Sequence, residues 1–134
     1  MSSYILFTDD DQEDRGLIRD CFNSLGLDDA IVFIEDGLSL INYLSAEKAG
    51  QVGLIVLDLN MPKLNGTETL RAIKNIPSAS QIPVIIFSTS VNEIEKKNCL
   101  ELGALEYTTK PLRWENYVDA CRYFLEIANP QLTD

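Results

Sequence analysis

Acidic, cationic and hydroxyl side chains stand at or just after the ends of strand-like apolar segments in this sequence. The aspartates 9–11 come after the segment "YILF", and Asp58 ends the segment "GLIVLD". Ser88 ends a third segment, "PVIIFS", and Lys110 follows a fourth, "LEYTT". Carboxylates bind hard cations, whereas an ammonium or a hydroxyl group can bind an anion. These residue types therefore predict chemistry on an anionic group with the help of a divalent cation, provided that the fold brings them together.

The elements that must position these residues alternate between strand-length and helix-length segments. Apolar runs predict strands over 4–7, 30–35, 53–58, 83–88 and 105–109, and helical spacing predicts helices over 12–25, 38–46, 67–75, 92–102 and 114–128. Five strands alternating with five helices indicate an α/β doubly wound fold, a parallel sheet with helices on both faces. Ligands bind such a sheet outside the carboxyl ends of its strands, so the acids, Ser88 and Lys110 should converge on one edge.

Composition limits the kinds of protein that this chain can be. Its 134 residues suit one domain over 1–134, with a core over about 4–128 and no composition shift that marks a second domain. The net charge of −10 predicts a surface that repels nucleic acid and anionic lipid. No apolar run is long enough to span a membrane, and the N-terminus lacks a secretory signal. We therefore expect a cytoplasmic protein without nucleic-acid or membrane partners.

The sequence also excludes several site chemistries. Cys21, Cys99 and Cys121 are far apart, odd in number and without CxxC spacing, which favours reduced thiols in or near the core over a metal site or a disulfide. The chain has no histidine, so it has no histidine-based triad, histidine metal site or phosphohistidine. The candidate chemistry is left to carboxylate, hydroxyl and lysine side chains.

The acids that should meet at the sheet edge predict a magnesium site. Asp9, Asp10 and Asp58 would crowd like charges, which costs free energy unless a cation lies between them. Mg²⁺ prefers hard oxygen ligands, takes one or two carboxylates and keeps several waters. Lys110 could pair with a carboxylate or with an anion placed on it, and Ser88 could donate a hydrogen bond to that anion.

The motifs, taken in order, resemble a known family. A strand followed by "DDD", an apolar strand followed by "DLNMP" and "NG", a strand that ends in Ser or Thr, and "YTTKP" together look like a two-component response-regulator receiver domain. The resemblance covers residues 4 to about 128 and is closest to stand-alone, chemotaxis-regulator-like receivers. It implies a flavodoxin-like five-stranded parallel sheet in the order 2-1-3-4-5 with five helices.

The resemblance implies a metal-assisted phosphoacceptor site. Asp58 would be the phosphoacceptor and would also contact the metal, Asp10 would be the direct Mg²⁺ ligand, and Asp9 would act mainly through bound water. The backbone carbonyl of Asn60 would be a further metal ligand. The side chains of Asn60 and Ser90 would tune the lifetime of the phosphoryl group.

The resemblance also implies a switch that responds to the phosphoryl group. Lys110 would pair with that group, and the peptide bond before Pro111 would be cis, which helps to aim the lysine. Ser88 would donate a hydrogen bond to the phosphoryl oxygens. Tyr107 would then rotate into the space that Ser88 leaves.

The implied function is a phosphorylation-dependent signalling switch or a phosphorelay intermediate. A sensor histidine kinase or a phosphotransfer protein would donate the phosphoryl group to Asp58, and an unknown downstream protein would respond to it. Residues 130–134 are too few for an output domain, so the chain would act through protein contacts. Phosphorylation could also pair two copies through the face made by the fourth helix, fifth strand and fifth helix. The chain would not be an enzyme beyond its own phosphorylation and dephosphorylation.

Two other functions stay open at this point. A pseudo-receiver would be an interaction module without phosphotransfer, although such modules usually lack one or more of the site residues that are present here. A haloacid-dehalogenase-type phosphatase would use Asp9 as its nucleophile, but the chain is short for that core and Asp58 would have no role in it. Structural roles also stay open for single residues: one of the aspartates 9–11 could cap the first helix, Tyr107 could be a core aromatic, and residues 65–66 could serve only the turn.

Overall fold

The computed structural model describes residues 3–48, 50–89 and 92–130. Within these residues the strands are β1 (Tyr4–Thr8), β2 (Ile31–Ile34), β3 (Val52–Leu57), β4 (Val84–Ser88) and β5 (Glu106–Thr109). The helices are α1 (Gln12–Ser24), α2 (Gly37–Tyr43), α3 (Gly66–Lys74), α4 (Glu93–Glu101) and α5 (Trp114–Ala128). A short 3₁₀ turn at Asp28–Ala30 precedes β2, and a π-helical segment at Leu44–Lys48 continues α2.

The observed boundaries agree with the predicted ones to within one residue, except at the end of α2. The sequence predicts helix over 38–46, whereas the α-helical hydrogen bonding ends at Tyr43 and gives way to the wider π-helical turn. Leu44 is fully buried, so the apolar stripe that predicts the helix continues through this change of winding.

The strands form one parallel sheet in the order β2-β1-β3-β4-β5. This confirms the predicted order 2-1-3-4-5. The order reverses between β1 and β3, because the chain first builds outward to β2 and then returns past β1 to build in the other direction. Ligands of doubly wound sheets bind at this reversal, so the carboxyl ends of β1 and β3 are where the site should lie.

Apolar side chains alternate between the two faces of the sheet and form a separate core on each. On one face Ile5, Phe7, Val56 and Phe87 pack against α1 and α5. On the other face apolar residues of β1, β3 and β4 pack against α2, α3 and α4. Each fully buried Leu, Ile or Phe contributes about 1.5–3 kcal/mol. The central strands are thus held rigidly from both sides, which gives the residues at their ends defined positions.

The register of the strands aligns their carboxyl ends at one edge of the sheet. Thr8 pairs with Leu57, Leu57 pairs with Ile86, and Ser88 pairs with Thr109. The next residues of β1, β3 and β5 in the chain are Asp9, Asp58 and Lys110. The register therefore brings these polar residues to the same edge although they are far apart in sequence.

Two other expectations concern the core and the membrane. The three cysteines are buried free thiols, as the sequence predicts. None of the helices formed by the described residues is both long and apolar enough to cross a membrane.

Candidate functional site

The acidic run that follows β1 has three different environments. Asp11 is the N-cap of α1, and its carboxylate accepts a 2.9 Å hydrogen bond from the backbone N–H of Glu13. Asp9 is 1% exposed, and its Oδ1 accepts a 2.9 Å hydrogen bond from the backbone N–H of Asp11. Asp10 is exposed to solvent. The capping role therefore falls on Asp11, which leaves Asp9 and Asp10 for the site.

The carboxylates of Asp9, Asp10 and Asp58 converge at the ends of β1 and β3. One oxygen atom from each lies within 4.8 Å of the other two. Asp58 is 7% exposed, and its carboxylate accepts a hydrogen bond from the backbone N–H of Asn60. The structure thus brings together the three acids that the sequence predicts, and it places the Asn60 backbone beside them. Carboxylate oxygens this close together suit a hard divalent cation.

The ammonium group of Lys110 lies among carboxylates beneath this cluster. Its Nζ is 2.7 Å from Oδ2 of Asp9, 2.7 Å from Oδ2 of Asp14 and 3.7 Å from Oδ1 of Asp58. The lysine is 7% exposed, and its backbone N–H donates a 2.7 Å hydrogen bond to the carbonyl of Ser88. Lys110 is therefore held at both its backbone and its head group.

The predicted cis peptide bond before Pro111 is wrong. The bonds between described residues are all trans. The trans form is favoured by about 0.5–1 kcal/mol for an X–Pro bond. With this trans bond the Lys110 ammonium still reaches the carboxylates of Asp9 and Asp14.

Burial and like charges dominate the electrostatics of the site. Burial, together with the charge of Asp9, raises the pKa of Asp58 to about 6, although Lys110 opposes the shift. Burial also raises the pKa of Asp9, although the hydrogen bonds that Lys110 and Asp11 donate to its carboxylate act to lower this pKa. For Lys110, burial alone would lower the pKa, but its hydrogen bonds to Asp14 and Asp9 raise the pKa above the usual range. The acids outnumber the single lysine, so the site favours a further cation.

The start of α3 packs directly against the strand end that bears Asp58. Asn65 caps α3: its Oδ1 accepts a 2.9 Å hydrogen bond from the backbone N–H of Glu68, and its own N–H donates a 3.1 Å hydrogen bond to Oε1 of Glu68. A Cβ atom at Gly66 would lie 2.6 Å from the carbonyl oxygen of Asp58 and 2.6 Å from Cα of Leu59. Residues 65–66 therefore do more than serve a turn, since they fix how closely α3 approaches the acidic cluster.

The predicted switch residues lie on one face of the sheet. Ser88 is fully buried at the end of β4, and Tyr107 is 9% exposed on β5. Tyr107 pairs in register with Ile86, two residues before Ser88, so alternation puts both side chains on the face that carries α2, α3 and α4. Ser90 lies outside the described residues. The rotation of Tyr107 and the tuning role of Asn60 stay predictions.

Asp14 is a site residue that the sequence analysis missed. It lies in the first turn of α1, and its side chain is 16% exposed where it meets Lys110. An acid in the first turn of a helix is ordinarily explained by the helix dipole, which favours negative charge there. No local signal separates that role from a contact with a lysine 96 residues further along the chain.

Comparison with known proteins identifies relatives in sequence and in fold. The sequence is similar to that of response regulator Rcp1 of Synechocystis sp., with 34% identity over 110 residues that cover 79% of this chain and 75% of Rcp1. The fold is similar to the crystal structure of the Mn²⁺-bound form of Rcp1, with a TM-score of 0.82 and 28% identity over 98% of this chain and 97% of that one. The phosphorylated cyanobacterial phytochrome response regulator RcpA has a TM-score of 0.85 and 28% identity, over 100% of this chain and 98% of its own.

The family of the chain follows from a match that spans most of its length. The model of the response regulator receiver domain matches residues 5–122. Except for Tyr4, the first residue of β1, this range includes the five strands and the acids, the serine and the lysine at the sheet edge. The chain belongs to the response regulator receiver domain family, the receivers of two-component signalling.

Proposed function

We propose that the protein is a phosphorylation-dependent signalling switch that accepts a phosphoryl group on Asp58. The observation that carries this proposal is the position of the Asp58 carboxylate, which is nearly buried beside Asp9 and Asp10 and 3.7 Å from the ammonium of Lys110. It thus lies next to acids that can bind a metal ion and next to a cation that can bind phosphoryl oxygens. Transfer of a phosphoryl group to a carboxylate requires this combination.

The donor atoms of the site fit a divalent cation. The cluster offers three carboxylate oxygens, which are hard ligands of the kind that Mg²⁺ and Mn²⁺ prefer. The relative Rcp1 has a Mn²⁺-bound form. For this protein we propose Mg²⁺, held by Asp9, Asp10, Asp58 and the backbone carbonyl of Asn60. When bound, such a cation neutralises charge on the transferring phosphoryl group.

The proposed reaction is a displacement at the phosphorus of a phosphohistidine on the donor protein. An Oδ atom of Asp58 attacks the phosphorus, a P–O bond forms as the P–N bond breaks, and the imidazole nitrogen keeps the electron pair of the broken bond. Lys110 pairs with the phosphoryl oxygens, and the hydroxyl of Ser88 donates a hydrogen bond to one of them. The protein catalyses only its own phosphorylation and the later hydrolysis of the aspartyl phosphate.

The donor in this proposal is a sensor histidine kinase or a phosphotransfer protein. Members of the family receive phosphoryl groups from such proteins, and the fully assembled acidic site supports the same role here. Because these donors work inside the cell, we also propose a cytoplasmic location.

The output of the proposed switch is a change in one surface. The new phosphoryl charge draws Ser88 toward it, Tyr107 moves into the space beside β4, and the face formed by α4, β5 and α5 changes shape. The large apolar side chains that α4, α5 and the residue before β5 expose are Ile94, Leu100, Leu105, Trp114 and Tyr123. A downstream protein, or a second copy of the phosphorylated chain, would bind there.

Intact mass after incubation with acetyl phosphate tests the assignment of the acceptor. We expect wild-type protein to gain the mass of one phosphoryl group only when Mg²⁺ is present, and Asp58→Asn to gain none. Asp119→Asn is the matched control, because Asp119 is an exposed acid of α5 away from the sheet edge and should behave as wild type. A wild-type protein that gains no mass from acetyl phosphate or from a phosphorylated donor would favour the pseudo-receiver. A gain that survives Asp58→Asn and is lost in Asp9→Asn would favour the phosphatase alternative, which the family match already opposes.

A further inference from the structure

The Lys110 ammonium is closer to two other carboxylates than to the proposed phosphoacceptor. It donates hydrogen bonds of 2.7 Å to Asp9 and of 2.7 Å to Asp14. Its distance of 3.7 Å to the nearest oxygen of Asp58 exceeds the range of about 2.7–3.2 Å for a hydrogen bond from nitrogen. An ammonium group has three N–H donors, so the two hydrogen bonds to Asp9 and Asp14 leave one donor without a hydrogen-bond partner among the residues that the structure describes.

Asp14 differs from Asp9 in its relation to the acidic cluster. Asp9 is one of the three carboxylates that could hold a cation, so a bound cation would share its charge. Asp14 is not among those three and lies in the first turn of α1. It is therefore the partner of Lys110 that a cation in the cluster would leave in place.

The start of α1 is anchored in a way that fixes the position of Asp14. Asp11 caps the helix, and the side chain of Arg15 donates a 2.7 Å hydrogen bond from Nη1 to the carbonyl of Asp9. The residues on both sides of Asp14 are thus tied to the segment that follows β1, Glu13 through its backbone N–H to Asp11 and Arg15 through its side chain to Asp9. A carboxylate on this turn is a stable reference point for the lysine head group.

We propose that Asp14 is a positioning residue that holds the Lys110 ammonium off Asp58 until the phosphoryl group arrives. The proposal rests on the proposed function of Asp58 as the acceptor. Held by Asp9 and Asp14, the ammonium leaves the oxygens of Asp58 free to attack phosphorus. Its third N–H remains available for a phosphoryl oxygen, so the charge is in place before the transfer and does not have to reorganise during it.

The loss of Asp14 should move the lysine toward the acceptor. Without the Asp14 carboxylate, the Lys110 ammonium can turn to Asp58, whose nearest oxygen is 3.7 Å away. A shift of about 1 Å would bring the two groups to about 2.8 Å, the distance that is typical of a charged hydrogen bond. The ammonium would then occupy the oxygen that must act as nucleophile. We therefore expect Asp14→Asn to slow phosphorylation from acetyl phosphate by roughly ten- to a hundredfold at saturating Mg²⁺.

The test compares Asp14→Asn with Glu13→Gln, which removes the same charge from the same helical turn at an exposed residue. Two readouts are needed: the initial rate of phosphorylation, and the side-chain ammonium signal of Lys110 in ¹H–¹⁵N spectra of the protein without metal or phosphodonor. That signal is identified by its absence in Lys110→Arg. We expect the ammonium signal in wild type and in Glu13→Gln, because two hydrogen bonds slow the exchange of the ammonium protons. In Asp14→Asn we expect the signal to broaden or shift and the phosphorylation rate to fall.

Each outcome bears on one of the two proposals. An Asp14→Asn protein with the rate and the ammonium signal of Glu13→Gln would overturn the role of Asp14. If Asp14→Asn does not fold, Asp14→Glu replaces it, since it keeps the charge but moves the carboxylate by one methylene, and the rate should again fall as the signal shifts. A wild-type protein that takes up no phosphoryl group would overturn the proposed function of Asp58, while the ammonium spectra would still decide whether Asp14 holds Lys110.

Discussion

Replacing Gly66 with alanine tests how closely α3 must approach the residue that we propose as the acceptor. Gly66 is the first residue of α3, and an added Cβ would lie 2.6 Å from the carbonyl oxygen of Asp58 and 2.6 Å from Cα of Leu59. Both are backbone atoms, so rotation of a side chain cannot relieve the clash. Either the start of α3 or the end of β3 must move.

The size of the effect follows from these distances. Ordinary contact between such atoms needs about 3.5 Å, so the elements must separate by roughly 1 Å. Overpacking of this kind costs about 1–3 kcal/mol, and the higher helix propensity of alanine offsets at most about 1 kcal/mol of it. We expect the free energy of unfolding to fall by about 1–2 kcal/mol, with a Tm several degrees lower. A displacement of about 1 Å at Asp58 should also slow phosphorylation by roughly tenfold or more.

The matched control is the same substitution in a helix that has room for it. Gly16 lies within α1, and a Cβ atom added there meets no atom within 4 Å. Gly16→Ala should therefore stabilise the protein by about 0.5–1 kcal/mol, because alanine loses less backbone entropy in a helix than glycine does. Urea unfolding followed by circular dichroism measures both variants, and acetyl phosphate uptake reports the site.

The two variants must change stability in opposite directions. If Gly66→Ala were as stable as wild type and phosphorylated as fast, α3 could start further from β3 without cost, and the close approach would not position Asp58. A loss of stability in both variants would instead show that glycine is needed for its flexibility rather than for the contact.

Three further predictions concern charge, thiols and pH. Without divalent cations, Asp58→Asn should be more stable than wild type by about 1–3 kcal/mol, since it relieves the crowding of buried like charges. Added Mg²⁺ should close this gap, because it should bind and stabilise only the wild type. Thermal unfolding of both proteins, with chelator and with Mg²⁺, measures the two differences in stability. All three thiols should resist a disulfide reagent in the native protein and react in urea, because they are buried and burial raises the pKa of the Cys121 thiol. A thiol that reacts in the native protein as fast as in the unfolded protein would contradict this prediction. Burial and the hydrogen bond to Tyr43 raise the pKa of Tyr4 to about 12, so the stability that this neutral phenol contributes is present below the usual pKa of about 10 and is lost as the pH rises through about 12. Burial also raises the pKa of Tyr117, and a hydrogen bond to Glu106 raises that of Tyr123, so the phenolate absorbance should have a late-titrating component that loses one tyrosine in Tyr4→Phe.

The architecture was predictable because its signals are local and repeated. Each strand is a short apolar run, each helix has an apolar stripe, and their alternation permits few arrangements. The convergence of Asp9, Asp58 and Lys110 follows from the same pattern, since each comes at the end of a parallel strand. The end of α2 was not predictable, because an apolar stripe over five residues is compatible with either α-helical or π-helical winding.

The motifs of the sequence by themselves determined the sheet, its order and the acids at its carboxyl edge. Only the tertiary structure decided which groups hold those acids and the lysine in place. The contact between Asp14 and Lys110 joins residues 96 positions apart, and the approach of Gly66 to Asp58 depends on how α3 docks. The trans peptide bond before Pro111 is a further feature that the sequence did not determine, since the cis and trans forms of such a bond differ by only about 1 kcal/mol. Local patterns specify elements and their ends, whereas distances of a few ångströms between elements are set by the packing of the whole chain.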